Sequence, residues 1–275
     1  MRIAVLQMTS GIDPAANAAA LVTGLEEAAA GGARIAFTPE MTGLLDRDRK
    51  RAAASIVGED EDGVLAAACK AAARLGLWVH LGSLALRPGG AETRYVNRGF
   101  LIDDTGAIRA RYDKLHLFDV DLPTGESWRE SAAYAPGSGA VVVGTPIGRI
   151  GLSICYDMRF SDLYRALSDA GAEILAAPAA FTVPTGQAHW HVLLRARAIE
   201  SACFMVAAAQ VGRHEDGRAT YGHSLVIDPW GEVLLDMGEA PGVGFAEIDL
   251  AKLYDVRARI PALKHRRSIP DVVRA

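Results

Sequence analysis

Cysteine is scarce in this chain, and the three present, Cys69, Cys155 and Cys203, are widely separated, odd in number and without a CxxC pair. That spacing excludes a disulfide framework and a cysteine-rich metal knuckle, and it suits a reducing compartment. Charge of one sign is also lacking. A formal net charge of −4 over 275 residues offers no basic excess for nucleic acid or an anionic membrane. The opening stretch MRIAVLQMTS carries one Arg and an apolar run too brief for a signal peptide or a membrane span. No low-complexity linker divides the chain. A cytoplasmic protein with no membrane and no nucleic-acid partner is expected.

Half the residues are hydrophobic and 23% are charged, so a sizeable core is expected and disorder is not. Strand-like and helical runs alternate for most of the length. Ile3 to Met8 reads as a strand, and Asp13-Pro14 as an N-cap with proline in the first helical turn. Leu21, Val22, Leu25, Ala28 and Ala29 recur at helical spacing until Gly31-Gly32. RIAFTPE is the next strand, ending at Glu40. A helix striped by Val64, Leu65, Ala68, Cys69, Ala72 and Leu75 stops at Gly76, and LWVHLGSLAL follows as a strand. Ser161 and Asp162 open a helix that ends at Gly171, before the strand AEILAAP. Trp190, Leu193, Leu194, Ala198 and Ala202 mark a last long helix, before the strand FMVAAAQ.

Two segments are alike. FLIDDTGAIRA and LVIDPWGEVLL each read as an apolar strand, an Asp-x-x-Gly turn and a second strand, the pattern of a β-hairpin. Their recurrence points to two related halves within one domain, residues 1–260. The remaining residues, 261–275, are basic and proline-broken, and are expected to form an arm on a surface or a partner subunit.

The most informative stretch is RIGLSICYDMRFSDLYRALSDAG. A buried-looking strand runs into Cys155 and a helix follows, the geometry of a nucleophile elbow. The Tyr156 N–H then faces a developing oxyanion. Cys69 and Cys203 lie on helical faces among alanines and read as inert buried thiols. A thiol needs a base or a cation to attack an amide. Candidate histidines such as His116, His189 and His191 have no papain-like context. His189 and His191, two apart on a predicted helix, share no face and make a poor joint metal site. Glu40 and Lys114 remain; read alone, each is an ordinary surface charge.

The combination changes that. PEMTG, YDKLHLFD and ICYDMRF, in this order, resemble the Glu–Lys–Cys signature of the nitrilase superfamily. AHWHVLLRARAIES, VAAAQVGRH, YGHSLVIDPWGEVL and HRR extend the resemblance over nearly the whole chain. It implies an α/β fold, a four-layer αββα sandwich with two pseudo-symmetric halves. It also implies Cys155 as nucleophile, Glu40 as general base, Lys114 as the oxyanion-stabilising group and Glu130 as the family's additional glutamate. Glu126 is the weaker candidate for that last role. Phe181 and Thr182 are expected to line the substrate pocket. Neither a metal nor an organic cofactor is required, and association into a homodimer or higher homo-oligomer is expected. A lysine about 4 Å from a thiolate stabilises it by about 4 kcal/mol at an effective dielectric of about 20, so a Cys155 deprotonated at neutral pH is expected.

The chain is most similar to the Nit branch, which implies hydrolysis of a small carboxamide to a carboxylic acid and ammonia through a thioester. The loop GRHEDGRATYGHS favours an amide bearing a 2-oxo acid, deaminated glutathione ahead of 2-oxoglutaramate. An N-carbamoyl amino acid is the alternative substrate, and a non-enzymatic scaffold has no reason to keep all three polar residues. Arg159, Arg195, Arg197, Arg213, His214 and Arg218 are candidate partners for a substrate carboxylate, although Arg197 with Glu200 is more simply an i,i+3 helix pair.

Overall fold

Short apolar strands and alanine-rich helices cannot hide their apolar faces alone, and stacking them in layers does so. The computed structural model describes residues 1–274 apart from 122–124 and 126. In chain order the strands are β1 (Arg2–Gln7), β2 (Ile35–Phe37), β3 (Trp78–Leu86), β4 (Val96–Ile102), β5 (Ile108–Asp113), β6 (Asp119–Asp121), β7 (Ser127–Arg129) and β8 (Val141–Thr145). They continue with β9 (Gly148–Leu152), β10 (Ile174–Ala176), β11 (Phe204–Ala207), β12 (Val211–Arg213), β13 (Ala219–Tyr221), β14 (Leu225–Ile227), β15 (Val233–Asp236) and β16 (Gly242–Glu247). The helices are α1 (Pro14–Ala30), α2 (Arg49–Ala52), α3 (Gly63–Leu75), α4 (Ser161–Asp169), α5 (Val183–Ser201), α6 (Leu250–Arg259) and α7 (Ala262–His265).

Two six-stranded sheets form the centre, ordered β16-β1-β2-β3-β4-β5 and β15-β14-β11-β10-β9-β8. In the first, β1, β2 and β3 run parallel, β16 pairs antiparallel with β1, and the β4–β5 hairpin continues antiparallel from β3. The second repeats this with β9, β10 and β11 parallel, β8 antiparallel to β9, and the β14–β15 hairpin beyond β11. The two hairpin turns match in their backbone contacts. Asp103 accepts from the N–H groups of Thr105 and Ala107, and Asp228 from those of Trp230 and Glu232, at 2.9–3.0 Å. The internal repeat expected from the sequence is thus a strand-by-strand pseudo-twofold.

Side chains of β1 alternate between two faces as the two-residue period requires, and both faces are buried. Ile3 and Val5 pack with Phe37, Ile150, Leu152 and Ile174 between the sheets. Ala4 and Leu6 pack on the opposite face with Leu21 and Leu25 of α1 and Val64, Leu65 and Ala68 of α3. Helices α4 and α5 supply Leu163, Leu167, Trp190 and Leu194 to the outer side of the second sheet. The layers are therefore helix, sheet, sheet, helix, and each such fully buried Leu or Ile is worth about 1.5–3 kcal/mol. No helix of the described residues is long and apolar enough to cross a membrane.

Helix α1 starts as expected, with Asp13 accepting from the Ala15 N–H at 2.9 Å and Pro14 in the first turn. Several boundaries differ from expectation: β10 and β11 are shorter than their apolar runs, and three others bear on the site. Strand β2 ends at Phe37, three residues before Glu40, because Thr38 and Pro39 turn across the bulged middle of β3. A Cβ on Gly82 would lie 2.2 Å from the Thr38 carbonyl oxygen, so only glycine allows this approach. Helix α5 begins at Val183, well ahead of its apolar stripe, with Pro184 in the first turn. The turn after β9 is already a 3-10 helix at Cys155, running to Arg159.

Candidate active site

Glu40 lies beyond the carboxyl end of β2, Lys114 directly follows β5, and Cys155 lies beyond β9. Parallel strands leave their C-terminal ends lined by loops, where side chains from distant segments converge. Here the convergence is tight. The Lys114 Nζ donates to Glu40 Oε1 at 2.9 Å and to Glu130 Oε2 at 2.9 Å. Asn97, on β4, spans the same two carboxylates, donating to Glu40 Oε1 at 2.9 Å and Glu130 Oε1 at 3.3 Å. The Ala180 N–H holds the other Glu40 oxygen at 2.8 Å, and the Phe118 N–H holds Glu130 at 2.6 Å. The Cys155 thiol lies beside the Glu40 carboxylate, and each shifts the ionisation of the other. Glu40, Lys114 and Cys155 are 4%, 2% and 8% exposed, so water contributes little screening and these contacts act at low dielectric.

Cys155 occupies the left-handed region, with φ of 49°, a conformation that costs energy in a residue other than glycine and persists only where neighbours enforce it. Asp157 is the enforcer. Its fully buried carboxylate accepts from the Ile154 N–H at 2.9 Å, the His116 N–H at 2.9 Å and the Tyr112 hydroxyl at 2.7 Å. His116 Nδ1 meets it at 2.7 Å, and its ring stacks on Phe160. The Cys155 N–H donates to the Pro178 carbonyl at 2.8 Å. Asp157→Ala leaves four donors without a partner, and we expect it to lower stability by about 3 kcal/mol in urea melts. Melts that coincide within about 0.5 kcal/mol of the parent would show that the clamp does not hold the turn.

Ionisation follows from burial and pairing. Burial works against the Lys114 ammonium, but the charges of Glu130 and Glu40 hold its pKa well above the ordinary lysine value. Burial also works against the Glu40 carboxylate; Lys114, the Cys155 thiol and the Ala180 N–H outweigh it and keep that carboxyl below 4.5. Cys155 goes the other way. Burial first, then the Glu40 charge, push its pKa well above the ordinary thiol value of 9.0, and Lys114 only partly opposes them. The expected resting thiolate is therefore corrected to a thiol. The lysine charge is already shared between two carboxylates, so too little remains to offset a second buried anion.

A cleft of about 630 Å³ opens onto this cluster. Every residue expected at the site lines it: Glu40, Lys114, Cys155, Glu130, Tyr156, Phe181 and Thr182. Glu126 lies outside the described residues. Of the cations weighed for a substrate carboxylate, Arg218 lines the cleft, joined there by Arg47, Arg49 and Arg129. The others are engaged elsewhere. Arg195 and Arg197 bond the carbonyls of Gly231 and Met158, His214 is buried between Ser10 and Thr220, and Arg159 lies over the Phe181 ring. Arg213, on β12, is exposed outside the lining. Arg197 also pairs with Glu200 at 2.5 Å, the simple helix pair. Neither Cys69 nor Cys203 lines the cleft, and burial pushes both thiols up, Cys203 to about 11. Asn97 and Asp157 were not anticipated. Asp157 stands two residues after Cys155 and was visible there as part of a polar run, whereas nothing local marks Asn97.

Comparison with known proteins agrees with this geometry. The family model for carbon–nitrogen hydrolase matches residues 2–258. Human deaminated glutathione amidase is 45% identical over 274 residues, 98% of this chain and 83% of that protein. The crystal structure of the Caenorhabditis elegans NitFhit protein superposes with a TM-score of 0.89 at 39% identity, covering 97% of this chain and 65% of that one. A Xanthomonas campestris CN-hydrolase superfamily protein, solved with an arsenic adduct in its active site, superposes at 0.85 with 30% identity and 99% of both chains covered. The chain therefore belongs to the carbon–nitrogen hydrolase family, in the Nit branch of the nitrilase superfamily, and is a cysteine-dependent amidase acting on small-molecule carboxamides.

Proposed function

We propose that the enzyme hydrolyses the amide of a small 2-oxo acid, with deaminated glutathione as the preferred substrate and Cys155 as the nucleophile. One observation carries the mechanism: a buried thiol on a left-handed turn lies beside a carboxylate that shares a lysine with a second carboxylate. Glu40 takes the thiol proton as Sγ attacks the carbonyl carbon. An ammonium has three donors; Nζ lies 2.9 Å from Glu40 Oε1 and 3.1 and 2.9 Å from the two Glu130 oxygens, so giving up the longer Glu130 contact turns one N–H to the oxyanion, together with the Tyr156 N–H. Protonated Glu40 then passes its proton to the leaving amine, and ammonia departs from a thioester on Cys155. Water enters, gives a proton to Glu40 and attacks the thioester. Collapse of the second intermediate returns the proton to sulfur and frees the carboxylic acid. Glu130 and Asn97 act as positioning residues that hold Lys114 and Glu40 in register.

The substrate reading draws on the relatives named deaminated glutathione amidase and on the cations at the cleft wall. Arg218, braced by Asp216 at 2.6 Å and lying over the Trp128 ring, and Arg49, on α2, offer charge to a carboxylate remote from the reacting carbonyl. Such remote contacts discriminate by about 1–3 kcal/mol, tens to hundreds of fold. The test is kcat/KM for deaminated glutathione, 2-oxoglutaramate, a carbamoyl amino acid and an aliphatic nitrile. Deaminated glutathione should lead. A tenfold or greater advantage for 2-oxoglutaramate would make the enzyme an omega-amidase, and a lead for either of the last two would overturn the 2-oxo acid reading.

We also infer that the enzyme is at least a homodimer, with residues 261–275 as an arm at the subunit interface. Arg266 fastens the start of the arm to Asp169 and Ser168, while Ile269, Val272 and Val273 beyond it are 78–88% exposed. Exposed apolar side chains in sequence are characteristic of an unmade contact. Light scattering at micromolar concentration should give at least twice 29.1 kDa; the monomer mass would refute the inference.

A further inference from the structure

A second convergence of side chains lies outside the catalytic cluster, where α5 passes the β14–β15 hairpin. His191, on α5, places Nε2 at 2.9 Å from Asp236 Oδ2. His223, in the turn between β13 and β14, places Nδ1 at 2.9 Å from Asp236 Oδ1. The three ligand atoms all lie within 4.8 Å of one another. We propose that His191, His223 and Asp236 form a binding site for a divalent cation of the zinc class, independent of amide hydrolysis.

The donor set is two imidazoles and a carboxylate, which suits zinc and its borderline neighbours and disfavours calcium or magnesium. A tetrahedral ion with bonds of about 2.1 Å needs ligand atoms about 3.4 Å apart, so the two histidine–carboxylate spacings of 2.9 Å would open slightly, while the two imidazole nitrogens already lie within 4.8 Å of each other. His223 and Asp236 are already aimed by their surroundings. The His223 backbone is held left-handed, φ 52°, by its N–H donating to the Gly238 carbonyl at 2.7 Å and its carbonyl accepting from Trp190 Nε1 at 2.7 Å. The Gly238 N–H fixes Asp236 Oδ1 at 2.9 Å, and the Tyr221 ring stacks on His223 with centroids 4.5 Å apart. Such outer contacts orient metal ligands and are themselves worth about 10–100-fold in affinity. The side chains of His191, His223 and Asp236 are 34%, 20% and 35% exposed. An ion therefore has an open path and keeps one position for water or an exogenous ligand. Bound there, it would tie the middle of α5 to the end of β15, on the helix whose first turn contributes Thr185 to the cleft.

Cobalt(II) chloride titrated into the chelator-stripped full chain tests this, in a Cys155→Ser background so that the active-site thiol supplies no ligand. One equivalent should bind, giving weak visible bands without a thiolate charge-transfer band, and zinc should bleach them. His191→Gln and Asp236→Asn should each weaken cobalt binding at least about tenfold. Circular dichroism of the metal-free variants identifies any that fails to fold, in which case the other decides. Cobalt binding with parental stoichiometry and affinity in the folded variants would place the ion elsewhere and overturn the assignment. So would no saturable binding to the parent, leaving the three residues a hydrogen-bonded triad alone.

Discussion

Cys155→Ala is expected to abolish amide turnover while the protein stays folded. The covalent route requires Sγ, and among the described residues no second cysteine lines the cleft: Cys69 and Cys203 lie away from it. In enzymes that act through a covalent intermediate, removing the nucleophile costs about 10⁴–10⁶ in turnover, because the remaining groups cannot act separately. The fold loses little. Cys155 contributes one buried sulfur, and alanine accepts the same left-handed backbone at a comparable cost, with Asp157 still clamping the turn. Ammonia release and urea melts measured side by side check both halves. Residual activity within tenfold of the parent would sink the mechanism, and Cys69→Ala and Cys203→Ala should keep their activity.

Glu40→Gln carries the second large effect, and its character separates two versions of the chemistry. With a preformed thiolate, acylation would survive the change and a thioester would accumulate on Cys155. With the thiol pKa raised by burial and by Glu40 itself, the proposed mechanism has Glu40 remove the proton during attack. Glutamine cannot accept that proton, so acylation itself should slow by about 10²–10⁴ and no thioester should build up. Intact-protein mass spectrometry with the amide reads this directly; a stable adduct on Cys155 in the variant would restore the thiolate version. The pH profiles should differ as well. The active form of the parent has Glu40 ionised, and because that carboxyl is held below 4.5, activity should persist to below about pH 4.5 before the acid limb. The residual rate of the variant should instead climb from about pH 7 to pH 9 as hydroxide removes the proton.

Local chemistry in the chain was enough for much of this. Asp13-Pro14 announces α1 because an N-cap acceptor and a proline without an N–H both fit a helix start. The paired Asp-x-x-Gly turns disclose the pseudo-twofold because a carboxylate gathering two N–H groups is a short-range structure. A polar run after an apolar strand singles out Cys155 from the two cysteines on alanine-rich faces. The Glu40, Lys114 and Glu130 assignments depended on resemblance, since an isolated Glu or Lys carries no local sign of burial. Tertiary structure decided the rest, because those properties are sums over neighbours far apart in sequence. The Cys155 proton is one. A lysine beside a thiol suggests a thiolate, and only the folded chain shows Lys114 divided between Glu40 and Glu130 at the buried floor of a cleft. Asn97 bridges those two carboxylates only because β4 lies beside β5. His191 has no fit partner in His189 two residues away, yet finds His223 and Asp236 once α5 packs against the β14–β15 hairpin. Periodicity and capping are written within a few residues, whereas the charge on a buried group and the geometry of a binding site arise when distant segments share one small, dry volume.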